Sequence, residues 1–193
     1  MVKAEIRSLI LNILPRFDKT GKYTPRFVDA CIEKVLAGMY DDVFRANPLA
    51  LQRYTKGFGY TTPLTVSYEA TSGLYYTSYP TGISIIPFTD KASGVRRIST
   101  PIQGGFNFFP MDSREMDFIS GSNIELVTAK IGYVVTPTRV EFYKMSTSVM
   151  TSGVRMDLII PFSNYADTDV VLIPEETDAQ GTTFIDKVLK ILG

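Results

Sequence analysis

The stretch TVSYEATSGLYYT, residues 65–77, decides the architecture. Its flanks, Thr65 to Glu69 and Leu74 to Thr77, are rich in β-branched and aromatic residues, which suit a pleated, half-buried surface. Between them Ala70-Thr71-Ser72-Gly73 supplies small polar residues and a glycine free to take positive φ, so the stretch predicts a β-hairpin. The same pattern recurs downstream. Ile131 to Val135 and Arg139 to Tyr143 straddle Thr136-Pro137-Thr138 as a second hairpin. Ile83 to Ile86, Val95 to Ile98, Gly105 to Phe109, Val154 to Pro161 and Val170 to Ile173 are further strand candidates. Short strands and turns at this spacing predict an antiparallel β-sandwich or open barrel.

Upstream of Lys56 the period changes. Ile6, Leu9, Ile10, Ile13 and Leu14 recur at helical spacing, and Pro15 ends the run. Thr24-Pro25 then offers an N-cap followed by proline at the first helical position, where its missing N–H costs nothing. From there Phe27, Cys31, Val35, Met39 and Val43 form a core stripe, widened by Val28, Leu36, Tyr40 and Phe44. Asn47-Pro48 stops this helix, and Leu49 to Tyr54 add a short helical turn. The second helix carries more apolar surface than one contact requires, so contacts on two sides are expected. After Pro174 helical spacing returns in Phe184, Ile185, Val188, Leu189 and Leu192. The expected fold is α+β: an N-terminal helical hairpin over residues 1–55, a β-rich domain over 56–174 and a C-terminal helix over 175–193, in one compact unit.

Composition narrows the chemistry. Of 193 residues, 45% are hydrophobic and 21% charged, as in a globular chain. Twenty Lys/Arg balance twenty Asp/Glu, which argues against a protein whose main task is gripping nucleic-acid phosphates. Histidine is absent, which excludes imidazole as general base, triad member or metal ligand. One cysteine, Cys31, can form neither an intrachain disulfide nor a cysteine zinc site, and on its apolar stripe it reads as a buried structural thiol. No apolar run approaches the roughly 20 residues a bilayer span requires. Leu9 to Leu14 is shorter still and lacks a small-residue cleavage site, so neither a membrane span nor a signal peptide is expected.

Motifs for catalysis or metal binding are equally lacking. Asp112-Ser113-Arg114-Glu115 reads as a capping box opening a short helical turn through Phe118, which explains its carboxylates without acid/base work. Asp167, Asp169, Glu175, Glu176 and Asp178 lack the glycine and spacing of a calcium loop. Gly57-Phe58-Gly59 and Gly104-Gly105 are not phosphate loops, and Ser120-Gly121-Ser122 lacks the hydrolase elbow. No metal, cofactor or catalytic residue is expected. Arg96-Arg97 sits in a β context, so the two side chains lie on opposite faces; with Lys91 the spot could touch phosphate, but interchain salt bridges are the favoured reading. Tyr60, Tyr68, Tyr75, Tyr76 and Tyr79 crowd one hairpin region, either as protein–protein contacts or as cross-strand core pairs.

Several of these segments occur in a familiar order. A helical pair around Arg26-Phe27-Val28-Asp29-Ala30 precedes a tyrosine-rich hairpin and Asp90-Lys91-Ala92-Ser93-Gly94-Val95-Arg96-Arg97-Ile98. Phe109-Pro110-Met111 with Arg114-Glu115-Met116 follows, then a proline and a C-terminal helix. This order resembles the neck and tail ring, or head-to-tail adaptor, proteins of short-tailed bacteriophages, including the crAss-like group. The resemblance implies a non-enzymatic virion protein, assembled in the bacterial host cytoplasm as a ring of twelve copies below the portal. Its implied partners are its own copies, the portal and adjacent ring or tail proteins, with DNA passing nearby without sequence-specific contact.

Charge asymmetry suggests how copies would meet. Residues 1–60 carry ten Lys/Arg and six Asp/Glu, the remainder ten and fourteen. A head-to-tail ring joins unlike faces, so Lys19, Lys22, Arg26 or Arg45 is expected near Asp167, Asp169, Glu175 and Glu176, and Arg96 and Arg97 are also expected at subunit contacts. Two other readings compete. A β-rich carbohydrate- or receptor-binding module of a virion would use exposed tyrosines, though tryptophan, the usual sugar-stacking residue, is absent. A carboxylate-only enzyme would need two acids facing one cleft.

Overall fold

The computed structural model describes residues 1–14, 23–101, 108–112, 114–115, 131–143, 145, 151–174 and 183–192. The expected α+β fold is present, with a helix near each end and two sheets between. Contacts divide the chain into two units, Met1–Tyr54 with Ile160–Gly193, and Thr55–Ile159. This differs from the single unit, broken at 55/56 and 174/175, that the change of period suggests. The segment from Ile160 onward packs with the helices because its apolar residues, Phe162, Tyr165 and Val171, are buried in that unit.

The first unit is organised by α2, Pro25–Ala46. Thr24 caps it as expected, its hydroxyl accepting the Phe27 N–H at 3.3 Å, with Pro25 beginning the first turn. Val28, Ile32, Leu36 and Tyr40 are fully buried, and contacts are made to α1 (Lys3–Ile13), the 3₁₀ helices Pro48–Tyr54 and Phe162–Asn164, and α3 (Phe184–Leu192). The expected second contact side is thus filled from within the chain. Phe27, expected on the core stripe, is instead 48% exposed and stacks on Tyr23 at 6.0 Å. Cys31 is buried, and burial raises its thiol pKa.

The N-terminus of α1 is closed by the far end of the chain. Lys3 N–H donates to the Asp169 carbonyl at 3.0 Å and Ala4 N–H to that of Asp167 at 3.1 Å, satisfying two donors that lack intrahelical acceptors. Val170 makes only an isolated bridge with Val2, so the strand expected over Val170 to Ile173 is reduced to one rung. The Lys3 side chain is buried; its ammonium donates to the Tyr165 carbonyl at 2.7 Å and lies 5.1 Å from the Phe162 ring centroid. Lys3→Met keeps the aliphatic stem but removes this donor. It is expected to lower stability by about 1–2 kcal/mol, read from the chemical-denaturation midpoint, because the buried carbonyl loses a charged partner.

In the second unit, β1 (Lys56–Phe58), β8 (Arg155–Leu158) and β4 (Val95–Ser99) form a three-stranded antiparallel sheet in that order. β2 (Ser67–Glu69), β3 (Leu74–Ser78), β7 (Arg139–Tyr143), β6 (Gly132–Val135) and β5 (Phe109–Pro110) form a five-stranded sheet. Both hairpins appear where expected, and Gly73 takes φ 70° in the first turn. The sheets share a core. Tyr133 and Phe142 are 1% exposed, the Tyr133 hydroxyl reaches the Val95 carbonyl, and Phe108 donates to the Ile98 carbonyl at 2.9 Å while meeting Phe142 edge-on.

Three expectations change here. The five-stranded sheet is not wholly antiparallel, because β5 runs parallel to β6. Ile83 to Ile86 forms no strand; among its backbone groups, Ile86 N–H bonds the Ile159 carbonyl at 2.9 Å. Lys56–Phe58, not among the strand candidates, is a strand, and Gly57 has its reason: a Cβ there would lie 2.7 Å from the Tyr60 ring. Of the expected strand Gly105 to Phe109, residues 105–107 lie outside the described residues, as does Phe118 of the expected helical turn.

Candidate functional site

The second unit contains a cleft of about 580 Å³ beside the end of β6 in the five-stranded sheet, where the short strand β5 has stopped. One wall is Val134 to Pro137 with Met111 and Asp112; the other is Ser84, Ile85, Pro87 and the turn Asp90 to Ser93. The capping box forms as expected. Asp112 Oδ1 accepts the Arg114 and Glu115 N–H groups at 3.0 and 2.9 Å, and Glu115 Oε2 accepts the Asp112 N–H at 3.1 Å. Lys91 then joins the two sides, pairing with Glu115 and lying 3.8 Å from Asp112 Oδ2. That pairing, across 24 residues, has no signal in the sequence.

The turn opposite is fixed by a second pair. Arg96 Nη1 lies 2.8 Å from Asp90 Oδ2 and donates to the Ser93 carbonyl at 3.1 Å, with the Arg96 side chain 5% exposed. Ser93 is held at φ 47°, a conformation non-glycine residues seldom adopt. Arg96 and Lys91 each pair with a carboxylate of their own chain, and the Arg96 side chain leaves little surface exposed.

The electrostatics of this corner keep charges fixed. Asp112 titrates below its ordinary value because it accepts the Glu115 N–H, and Glu115 does so because of Lys91, whose own pKa is raised by Glu115. Across the sheet Glu69 is likewise lowered, by Arg139, whose guanidinium contacts it at 3.2 and 2.8 Å. None of these groups moves toward neutrality, so none is tuned for proton transfer at pH 7. A carboxylate whose folded pKa is depressed contributes stability that is fully present above its unfolded value and lost as pH falls through the folded one. Thermal unfolding should therefore be insensitive to pH down to about 5 and shift to lower temperature below about 4. Glu115→Gln should flatten that acid limb.

The remaining charged residues expected at subunit contacts are dispersed. Lys19, Lys22, Glu175 and Glu176 lie outside the described residues. Arg26 is exposed in the first turn of α2, and Arg45, in the last turn, pairs with Asp41 at 2.8 Å. Nineteen residues of helix separate them by about 28 Å, so one small patch cannot take both. Asp167 and Asp169 do come together, but on the turn that closes α1: Asp167 accepts from Arg7 at 3.3 Å, and Asp169 accepts the Ala166 N–H at 2.6 Å. Arg7 is also clamped to Asp29 at 2.8 and 2.7 Å. Arg97 is exposed, opposite Asp157 in the three-stranded sheet.

Among the described residues no group of three or more potential ligands could hold a metal ion, and no helix is long and apolar enough to cross a membrane. No protein-family model, curated protein or solved structure matches the chain.

Proposed function

We propose that this chain is a structural subunit of a ring in the portal–neck–tail assembly of a tailed bacteriophage, connecting the capsid portal to the tail and carrying out no catalysis itself. The observation that carries this reading is the meeting of two sequence-distant stretches that gave the resemblance. Asp90 to Ile98 and Phe109 to Met111 with Arg114-Glu115 build one corner, closed by the Lys91–Glu115 pair. A corner in which Lys91 pairs with Glu115 and Arg96 with Asp90 suits a scaffold that positions surfaces better than a site that moves protons.

The test is assembly. Purified full-length chain, alone and mixed with its phage's portal, should give closed rings by electron microscopy, and the protein should be found in the neck of the virion. A chain that remains monomeric with portal present, or a virion that lacks it, would overturn the reading. So would a specific hydrolytic or transfer activity lost in Glu115→Gln while the thermal transition is retained.

A further inference from the structure

We infer that the cleft beside β6 receives the β2 edge of a second copy, with that copy's Tyr68 inserted, so that neighbouring subunits join their five-stranded sheets. This rests on the reading that copies assemble into a ring, and it adds which surfaces meet.

The receiving side is an interrupted ladder. The Thr136 N–H bonds the Arg139 carbonyl at 3.0 Å, which by antiparallel alternation turns the Val134 backbone toward β7 and the Tyr133 and Val135 backbones toward β5. Tyr133 finds its partner there, its carbonyl accepting the Met111 N–H at 2.8 Å. The next rung would join the Val135 N–H to the Met111 carbonyl. The chain instead enters the capping box, and among the described residues that N–H has no acceptor. The cleft opens at this point, with Val135, Ile85, Pro87 and Met111 on its walls.

The inserting side is the opposite edge of the same sheet. Among the described residues β2 pairs with β3 alone, which leaves its outer edge without a strand partner there. Tyr68 on it is 55% exposed, resting against Tyr75 with ring centroids 5.1 Å apart. An edge strand supplies the backbone acceptor that Val135 lacks among the described residues, and a tyrosine suits a cleft with apolar walls and hydroxyls at its rim. The two edges are unlike, so each copy gives one and receives one. That is the head-to-tail arrangement from which closed rings are built.

Two substitutions separate the sides. Tyr68→Ser disables the inserting edge, and Ser84→Trp fills the cleft from an exposed position on its wall. Each variant alone should have monomer mass in conditions where the unaltered chain assembles. An equimolar mixture should stop at two chains, because only one productive contact remains between them, and this pairing also shows that both variants are folded. Val135 amide exchange should be about tenfold slower in that pair than in either variant. A ring indifferent to both substitutions, or a mixture that fails to pair, would overturn the assignment and leave the ring reading standing. An unaltered chain that never exceeds monomer mass, even with portal, would overturn both.

Discussion

Truncation before Thr183 is expected to abolish the cooperative unfolding of the unit organised by α2. α3 buries Phe184, Val188 and Leu192 at 7, 0 and 6% exposure. Burial of such side chains is worth about 1.5–3 kcal/mol each, so the helix contributes about 5–9 kcal/mol. That is comparable to the whole stability of an ordinary domain. The helix is also specified locally: Thr183 and Asp186 exchange capping bonds, with the Asp186 carboxylate accepting the Thr183 N–H at 3.0 Å. The Tyr23 hydroxyl reaches the Leu192 carbonyl at 2.5 Å, so the start of α2 loses a tether as well. Native-state hydrogen exchange should show protection lost across Val28 to Val43. A truncated chain that keeps this protection would show that α3 is dispensable.

Arg96→Met, which removes the partner of the cleft residue Asp90, should lower stability by about 3 kcal/mol. The guanidinium is buried against Asp90, and the other Asp90 oxygen is buried with no hydrogen-bond partner among the described residues. Removing the cation strands that carboxylate; its remaining 30% exposure keeps the cost at the low end for a broken buried pair. The double variant Arg96→Met, Asp90→Asn should recover much of the loss, because no uncompensated charge is left. Equal destabilisation in the single and double variants would mean that packing of the arginine stem, and not the ion pair, is what matters.

What the sequence disclosed was local. Helix ends were legible because Thr24-Pro25 and Pro15 act on their own neighbours, and the hairpins because Gly73 and Pro137 sit within the turns they make. The capping box was legible for the same reason. Pairings across long separations were not. Nothing near Lys56 announces that it lies opposite Leu158, and the glycine that makes β1 possible looks, in isolation, like a loop residue. Arg96 shows the same limit at the level of the site. Its side chain alternates with that of Arg97 as expected, but which face is inward depends on Asp90 folding back six residues upstream. The cleft was out of reach altogether, since one of its walls exists only once β6 has found β5 and the other is brought to it from residues 84–93.

The interleaving of the two units has a consequence for biosynthesis. α2 emerges from the ribosome early, but the residues that cover it from the far side, Phe162 and α3, follow only after the whole of Thr55–Ile159 has been made. At about 5–20 residues per second that interval is roughly 5–20 s. During it the hydrophobic flank of α2 stays uncovered, and the β-rich unit cannot close its three-stranded sheet until β8 emerges at the end of the same interval. Nascent chains should therefore be most prone to coaggregation, and most dependent on chaperones, just before the last segment is released. Rare codons placed upstream of Ile160 should prolong that exposure and lower the yield of folded protein.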